Sequence, residues 1–431
     1  MKYNKSSQLA LISVASLLAA TLVSACSQLT ETLTVDFVYV ASSKAAGPNN
    51  DGEINVFEIN SESGRMRQIP SSPFPSEGRD PVSETVSADY GSLFVTNQDD
   101  NTIVQFVIGT DGKLYPFNTV NTPGIFPLAI TANKANLFVV DTYQPLPICS
   151  TAEPCSGSIG VYPLSAATSS APAAIGPPAA NTAVSGNYWP LGLPGQPDVI
   201  EPTGIDVLKS GAYVYVATYD STADANYIFG FSIGSGGALT PLNGGAPLGG
   251  GAFATGTCTG AFLNAPYVVG TCTAAIASDP TSSYVYVTDE INGEVHGFSI
   301  ASNTGLLTPL SGSPFSAGNQ PSAIVVDPSY PYVYVANSLD ATVTAFSASG
   351  GALTSLGTYT TGEQPVAIGI DPSTSHFVFT ANFLGNNVSG FELSTTAGTL
   401  LDSQYSPFQS DDWPTAVAAI PHNGTGAGVQ P

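Results

Sequence analysis

The sequence predicts an all-β fold, a seven-bladed β-propeller of four-stranded antiparallel blades, from three observations. A strand-like run of β-branched and aromatic residues ending in a turn residue recurs seven times. The copies are spaced by about 50 residues, and a full copy carries four such runs, the signature of blades around an axis. The run that opens each repeat alternates Ala or Gly with Ile or Val, as strands crowded around an axis require.

The clearest copies are Leu93-Phe94-Val95-Thr96-Asn97, Val285-Tyr286-Val287-Thr288-Asp289 and Val333-Tyr334-Val335-Ala336-Asn337. Matching runs centre on Tyr39, Phe138, Tyr215 and Phe379. The sixth repeat predicts strands at Ala323 to Val326, Tyr332 to Ala336, Thr342 to Ser347 and Leu353 to Leu356. Asp327-Pro328, Asn337 to Asp340 and Ser349-Gly350-Gly351 supply the turns between them. The seventh predicts Ala367 to Ile370, Phe377 to Ala381, Asn387 to Leu393 and Thr399 to Asp402, and the fifth runs from Ala274 to Leu310. The second-type strand Val38 to Ala41 has no opening strand before it, whereas Ala416 to Ile420 stands alone after Trp413-Pro414. Pairing the two closes the ring and leaves no open sheet edge at the seam. Tyr143 to Asp198 and Gly244 to Gly270, rich in Ala, Pro, Gly and Ser, read as long blade-connecting loops.

Residues 1–25 read as a signal peptide: Lys2 and Lys5 precede an uncharged apolar run from Leu9 to Val23. The run is too short and wrongly flanked for a stable membrane span. Val23-Ser24-Ala25-Cys26 resembles a bacterial lipobox, which implies lipidation of Cys26. Ser27 in place of Asp then implies outer-membrane sorting. Residues 26–35 would be a tether, 36–421 the propeller and 422–431 a flexible tail. The remaining cysteines form two close pairs, Cys149-Cys155 and Cys258-Cys272. They are expected as disulfides in an oxidising compartment, with no metal site among them.

Nine Lys and Arg against 32 acidic residues give a net charge of −23, which argues against nucleic acid and anionic lipid as partners. A monomer is expected, held to the membrane by its N-terminal lipid alone. Charged residues make up only 10% of the chain against 43% apolar, so this is no disordered acidic tail.

The LFVTN, VYVTD and VYVAN runs, the Ala-Ile strands closed by Asp-Pro, and the Gly-x-Leu-Thr-x-Leu segments resemble YVTN-type repeats. They are similar to the seven-bladed lactonase propellers, the 6-phosphogluconolactonase and muconate-cycloisomerase group. That resemblance implies an anionic lactone held in the axial cleft by arginine, with histidine and glutamate nearby. The chain departs from it. Its only arginines are Arg65, Arg67 and Arg79, and its last Lys or Arg is Lys209. A phosphate or carboxylate needs charge-assisted donors to repay its desolvation.

Gly230-Phe231-Ser232-Ile233-Gly234 matches a nucleophile elbow. The same register gives Gly297-Phe298-Ser299-Ile300, so Ser232 reads as a strand position. His296 is the candidate general base; His376 and His422 have no sequence partner. Candidate ligand-binding residues precede the opening strands, where loops gather at one mouth: Glu84, Glu201, Gln320, Glu363, Gln364, Asp411, Asp412 and Trp413, with Arg79 beside them. Carboxylates so gathered suit hydroxyl or ammonium groups, and Ca²⁺ is the one cofactor they suggest. No dedicated calcium loop accompanies them, and Asn49-Asn50-Asp51-Gly52 reads as a hairpin turn.

The sequence is thus read as an exported, envelope-associated binding module whose partner is a protein, a glycan or a small molecule. The alternative is a lactonase-like hydrolase, and a third reading is a passive scaffold.

Overall fold

Strands that bury aromatic side chains on both faces need a sheet on either side, and a closed ring of sheets supplies one to every blade. The computed structural model describes residues 34–43, 51–60, 63–149, 155–168, 172–196, 198–255, 275–372 and 377–421. They form seven antiparallel sheets. From the axis outward, blade 2 is Pro81–Val86, Ser92–Asn97, Thr102–Ile108 and Leu114–Asn121. Blades 3, 4, 5, 6 and 7 repeat that order, beginning at the inner strands Ile125–Ala132, Ile200–Val207, Ile276–Ser278, Pro321–Val326 and Pro365–Ile370.

Blade 1 takes its inner strand from the other end of the chain. Pro414–Pro421 pairs antiparallel with Thr34–Ser42, setting Ile420 opposite Phe37 and Ala416 opposite Ala41. Consecutive inner strands touch around the whole circle, blade 7 meeting the C-terminal strand and that strand meeting blade 2. A Cβ on Gly369 of blade 7 would come within 3.2 Å of the Val417 carbonyl, which is why these strands carry small residues.

The core lies between blades, not within them: seven apolar clusters fill the seven gaps. In four gaps a fully buried second-strand tyrosine also hydrogen-bonds across. Tyr39, Tyr215, Tyr286 and Tyr334 donate to the carbonyls of Gly112, Gly305, Gly351 and Gly398 in the next blade, at 3.1, 2.8, 2.9 and 3.1 Å. Gly398 has φ 70°, and a Cβ there would meet the Tyr332 ring at 2.4 Å, so only glycine allows this approach. Replacing Tyr334 with Phe keeps the ring and strands the carbonyl. A loss of about 1–3 kcal/mol in denaturant-unfolding stability is the expected result.

Two features lie beyond the sequence reading. Residues 143–198 hold more than a loop, because Ser158–Pro163 and Tyr188–Pro190 are the third and fourth strands of blade 3. Both are short, end in Pro and lie in a Gly- and Pro-rich stretch, which hid them. Trp189 is buried there, and its indole N–H donates to the Leu239 carbonyl of blade 4 at 2.9 Å. The second feature is a repeated Ser-Pro-Phe that interrupts the outer strands of blades 1, 5 and 7. The hydroxyls of Ser72, Ser313 and Ser406 accept from the Val56, Gly297 and Gly390 amides, which would otherwise lose a ladder partner there.

Candidate functional site

All inner strands run the same way, so their first residues encircle one end of the axis. In six blades the inner strand has a proline at or near its start. The residues before those prolines are Asp80, Phe126, Glu201, Gln320, Gln364 and Trp413. The blade 5 equivalent lies outside the described residues. Five of the six have left-handed backbone: φ is 57° at Asp80, 58° at Phe126, 53° at Gln320, 57° at Gln364 and 61° at Trp413. A side chain before proline is pushed away from helical backbone, so each position costs about 1–3 kcal/mol.

The surrounding structure over-determines these turns. The amides of Gln98, Ser338, Phe383 and Ser43 donate to the carbonyls of Asp80, Gln320, Gln364 and Trp413 at 2.8, 2.8, 2.8 and 3.0 Å. The Thr142 hydroxyl does the same for Phe126 at 2.8 Å. Strain repeated five times around one mouth makes that mouth the candidate site.

The side chains are aromatic, amide and acidic. Trp413 stacks on Phe383, with centroids 6.0 Å apart and planes at 13°. Phe126 meets Tyr143 edge-on at 6.0 Å. Gln364 is buried, and the buried Gln320 Oε1 has no hydrogen-bond partner. Glu201 stands opposite Tyr219 in the ladder and is half-buried, and burial raises its carboxyl above the ordinary value. Burial and the Glu201 charge raise the Tyr143 phenol. Tyr219 is pushed up to about 12 by burial first and then by Asp224, which accepts its hydroxyl at 2.7 Å.

The remaining candidates fall into different places. Arg79, Glu363 and Asp412 sit one residue before the strained position. Arg79 is clasped to Asp100 at 2.6 Å, and its amide donates to the same carboxylate at 2.7 Å. Asn319 grips Asp340 the same way in blade 6, which identifies a turn-fixing contact. Asp411 exchanges hydrogen bonds with Asn55, both at 2.9 Å. The neighbouring Glu53 is pushed up to about 7 by burial and then by Asp411.

Glu84 lies inside its strand, not before it. It stands opposite Val95, whose side chain packs in the gap between blades 1 and 2. Part of the residue is accessible, yet both carboxyl oxygens are sealed and neither reaches a partner with hydrogen-bond geometry. Burial pushes it up to about 8, against a weaker opposing effect of the Ala418 amide.

His296 is on the third strand of blade 5, two strands out from the axis, with Nε2 3.4 Å from Asp289. Ser232 is likewise a third-strand residue, and its hydroxyl donates to the Thr240 carbonyl at 3.4 Å. Cys149 and Cys155 are joined as a disulfide in the second hairpin of blade 3. Cys26, Cys258, Cys272, His376 and His422 lie outside the described residues.

Among the described residues no cationic head group is free at the mouth. Arg65 lies over the Tyr405 ring, and Arg67 and Lys113 are paired with Glu58 and Asp111. Lys134 and Lys209 follow inner strands and so belong to the opposite end. Lys44 lies outside the described residues. The mouth acids form no close three-ligand group of the kind a metal ion needs, whereas Asp289, Glu294 and His296 do. Sequence reasoning missed Asp80, Phe126, Tyr143, Tyr219 and Phe383. The first two follow from one rule, the residue before the proline of each inner strand.

A model of the lactonase, seven-bladed β-propeller family matches residues 272–413. Among solved structures, a candidate 6-phosphogluconolactonase from Bacteroides fragilis superposes with a TM-score of 0.65 at 20% identity. The match covers 91% of this chain and 99% of that one. A second such protein, from Bacteroides uniformis, gives 0.61 at 18%, covering 90% and 99%. The periplasmic gluconolactonase PpgL of Pseudomonas aeruginosa gives 0.62 at 16%, again covering 90% and 99%. No curated protein sequence matches the chain.

Proposed function

We propose that this lactonase-like seven-bladed β-propeller binds a neutral, polyhydroxylated ligand at its axial mouth and hydrolyses a sugar lactone there. One observation carries the reading: the positions before the inner-strand prolines bring aromatic faces, amides and the half-buried Glu201 carboxyl to one mouth, while no cationic head group is free beside them among the described residues. Flat apolar faces stack on sugar rings, and amides and carboxylates take hydroxyls. Among the described residues an anionic lactone would find no free cationic donor to repay its desolvation. A gluconolactone, the substrate named for the Pseudomonas neighbour, is neutral; a phosphogluconolactone is not.

Glu201 is the general base of this proposal. Burial raises its carboxyl toward the working pH, where a base is most effective. It takes a proton from water as the water adds to the lactone carbonyl, then returns that proton to the ring oxygen as the ring C–O bond breaks, giving a hydroxy acid. The product is an anion on a protein of net charge −23, so repulsion favours its release. The signal-like residues 1–25 and Cys26 support an envelope location for this activity.

Hydrolysis of glucono-lactone and of its 6-phosphate is followed above the spontaneous rate, with binding measured in parallel. Turnover of the neutral lactone alone is expected, with Glu201→Gln lowering kcat by about a hundredfold or more and changing KM little. Binding without turnover would leave the binding-module reading, and no binding at all would overturn both.

A further inference from the structure

Where the second strand of a blade turns into the third, three positions share one face of the hairpin. They are the last residue of the second strand, the residue opposite it, and the one two further along. In blade 6 these are Asn337, Thr342 and Thr344, and Asn337 Nδ2 donates to the two hydroxyls at 3.1 and 2.9 Å. In blade 7 they are Asn382, Asn387 and Ser389, with Nδ2 donating at 2.7 and 3.0 Å. Blade 2 has Asn97 and Thr102, 3.5 Å apart by the same bond. An amide donor at the centre holds the acceptors around it.

Blade 5 departs from blades 2, 6 and 7; blade 4 also carries an aspartate there, Asp220, but opposite Ala225 instead of a second carboxylate. The three residues of blade 5 are Asp289, Glu294 and His296, so the central donor is gone and two carboxyls stand directly opposite each other. Like charges in that arrangement repel. We propose that Asp289, Glu294 and His296 bind one Zn²⁺ ion, which occupies the place the amide fills in blades 2, 6 and 7.

One edge of the site already has the spacing the ion needs. One ligand atom from each residue lies within 4.8 Å of the other two. His296 Nε2 and Asp289 Oδ2 are 3.4 Å apart, long for a charge-assisted hydrogen bond. The edge of a tetrahedron with zinc–ligand bonds of about 2.0–2.1 Å is about 3.4 Å.

The supporting contacts are already in place. Asp289 is buried, and its Oδ1 accepts from the Ile291 and Asn292 amides at 3.0 and 3.1 Å. Asn292 Nδ2 donates to Oδ2 at 2.7 Å, so the carboxylate is oriented. Phe253 of blade 4 packs on the imidazole, with centroids 5.2 Å apart, and gives the site a dry wall. One imidazole with two carboxylates suits Zn²⁺ better than Ca²⁺ or Mg²⁺, which prefer all-oxygen sets. Half-buried Glu294 leaves a fourth position to solvent.

Chelator-stripped full-length protein is titrated with ZnCl2, CaCl2 and MgCl2 by calorimetry, with thermal melts alongside. One equivalent of Zn²⁺ with a raised Tm is expected, and no comparable response to Ca²⁺ or Mg²⁺. Glu294→Gln and His296→Gln should each weaken Zn²⁺ binding about tenfold or more, leaving the metal-free Tm within a few degrees of wild type. Co²⁺ substitution should give visible absorption bands that both variants lose. Binding that survives in both variants would place the ion elsewhere and overturn the proposal, as would failure of the folded wild type to take up Zn²⁺.

Discussion

A chain ending at Asp412 should fail to fold cooperatively. Removing Pro414–Pro421 strips blade 1 of its inner strand and leaves Phe37, Tyr39 and Ala41 on an open edge. It also removes Ala416, Ala419 and Ile420 from the core on both sides of blade 1. The Thr415 hydroxyl, which bonds the Pro81 carbonyl at 2.6 Å and the Ala41 carbonyl at 3.2 Å, goes with them. The ring then has a gap where blades 7 and 2 had a neighbour. A loss of more than about 5 kcal/mol is expected, comparable to the whole stability of an ordinary domain. Circular dichroism melts and gel filtration read the result, and a truncated protein that keeps the wild-type Tm would show that the seam does not hold the ring.

This closure was legible because strand count and strand type are sequence properties: a missing opening strand at Val38 and an orphan one at Ala416 can only meet each other. The blades themselves were legible for the same reason, since a Val-, Tyr- and Phe-rich run buried on both faces repeats wherever a strand lies between two sheets. The third and fourth strands of blade 3 were not, because Ser158–Pro163 is flanked by Gly157 and Leu164 within a Pro-rich stretch, and composition there speaks for a loop.

The mouth was half legible. Glu201, Gln320, Gln364 and Trp413 follow from lying before the opening strands, but Arg79 and Glu84 share that neighbourhood in sequence without sharing its geometry. One residue of offset turns Arg79 back onto Asp100, and a few more carry Glu84 into the strand, where alternation decides which way it faces. The blade 5 triad was hidden for another reason. Asp289 reads as the turn residue that ends its strand, and His296 reads only as a lone candidate base; only the cross-strand register puts Glu294 and His296 on one face with it.

Glu84 makes a second large effect measurable: the protein should lose stability as pH rises from about 5 to 8. Its carboxyl is raised from an ordinary 4.5 to about 8, first by burial between blades 1 and 2. Across that interval the folded state holds a proton that the unfolded state has released. The folded state binds more protons, so unfolding free energy falls with rising pH, by at most about 1.4 kcal/mol per unit. The effect is complete above the folded-state value and absent below the unfolded one. Over the full interval it amounts to roughly 3–5 kcal/mol.

Asp141, pushed up to about 7 by burial, and Asp206, pushed to about 6 by burial against two Ser278 hydrogen bonds, act in the same direction. Glu84→Gln keeps the shape and removes the titrating proton. At pH 8 the variant should therefore be more stable than wild type by about 3 kcal/mol, and at pH 5 nearly equal to it. Urea unfolding at both pH values decides the matter. Equal slopes for the two proteins would mean that water or a rearranged partner reaches the Glu84 carboxylate, and that the gap between blades 1 and 2 is not sealed around it.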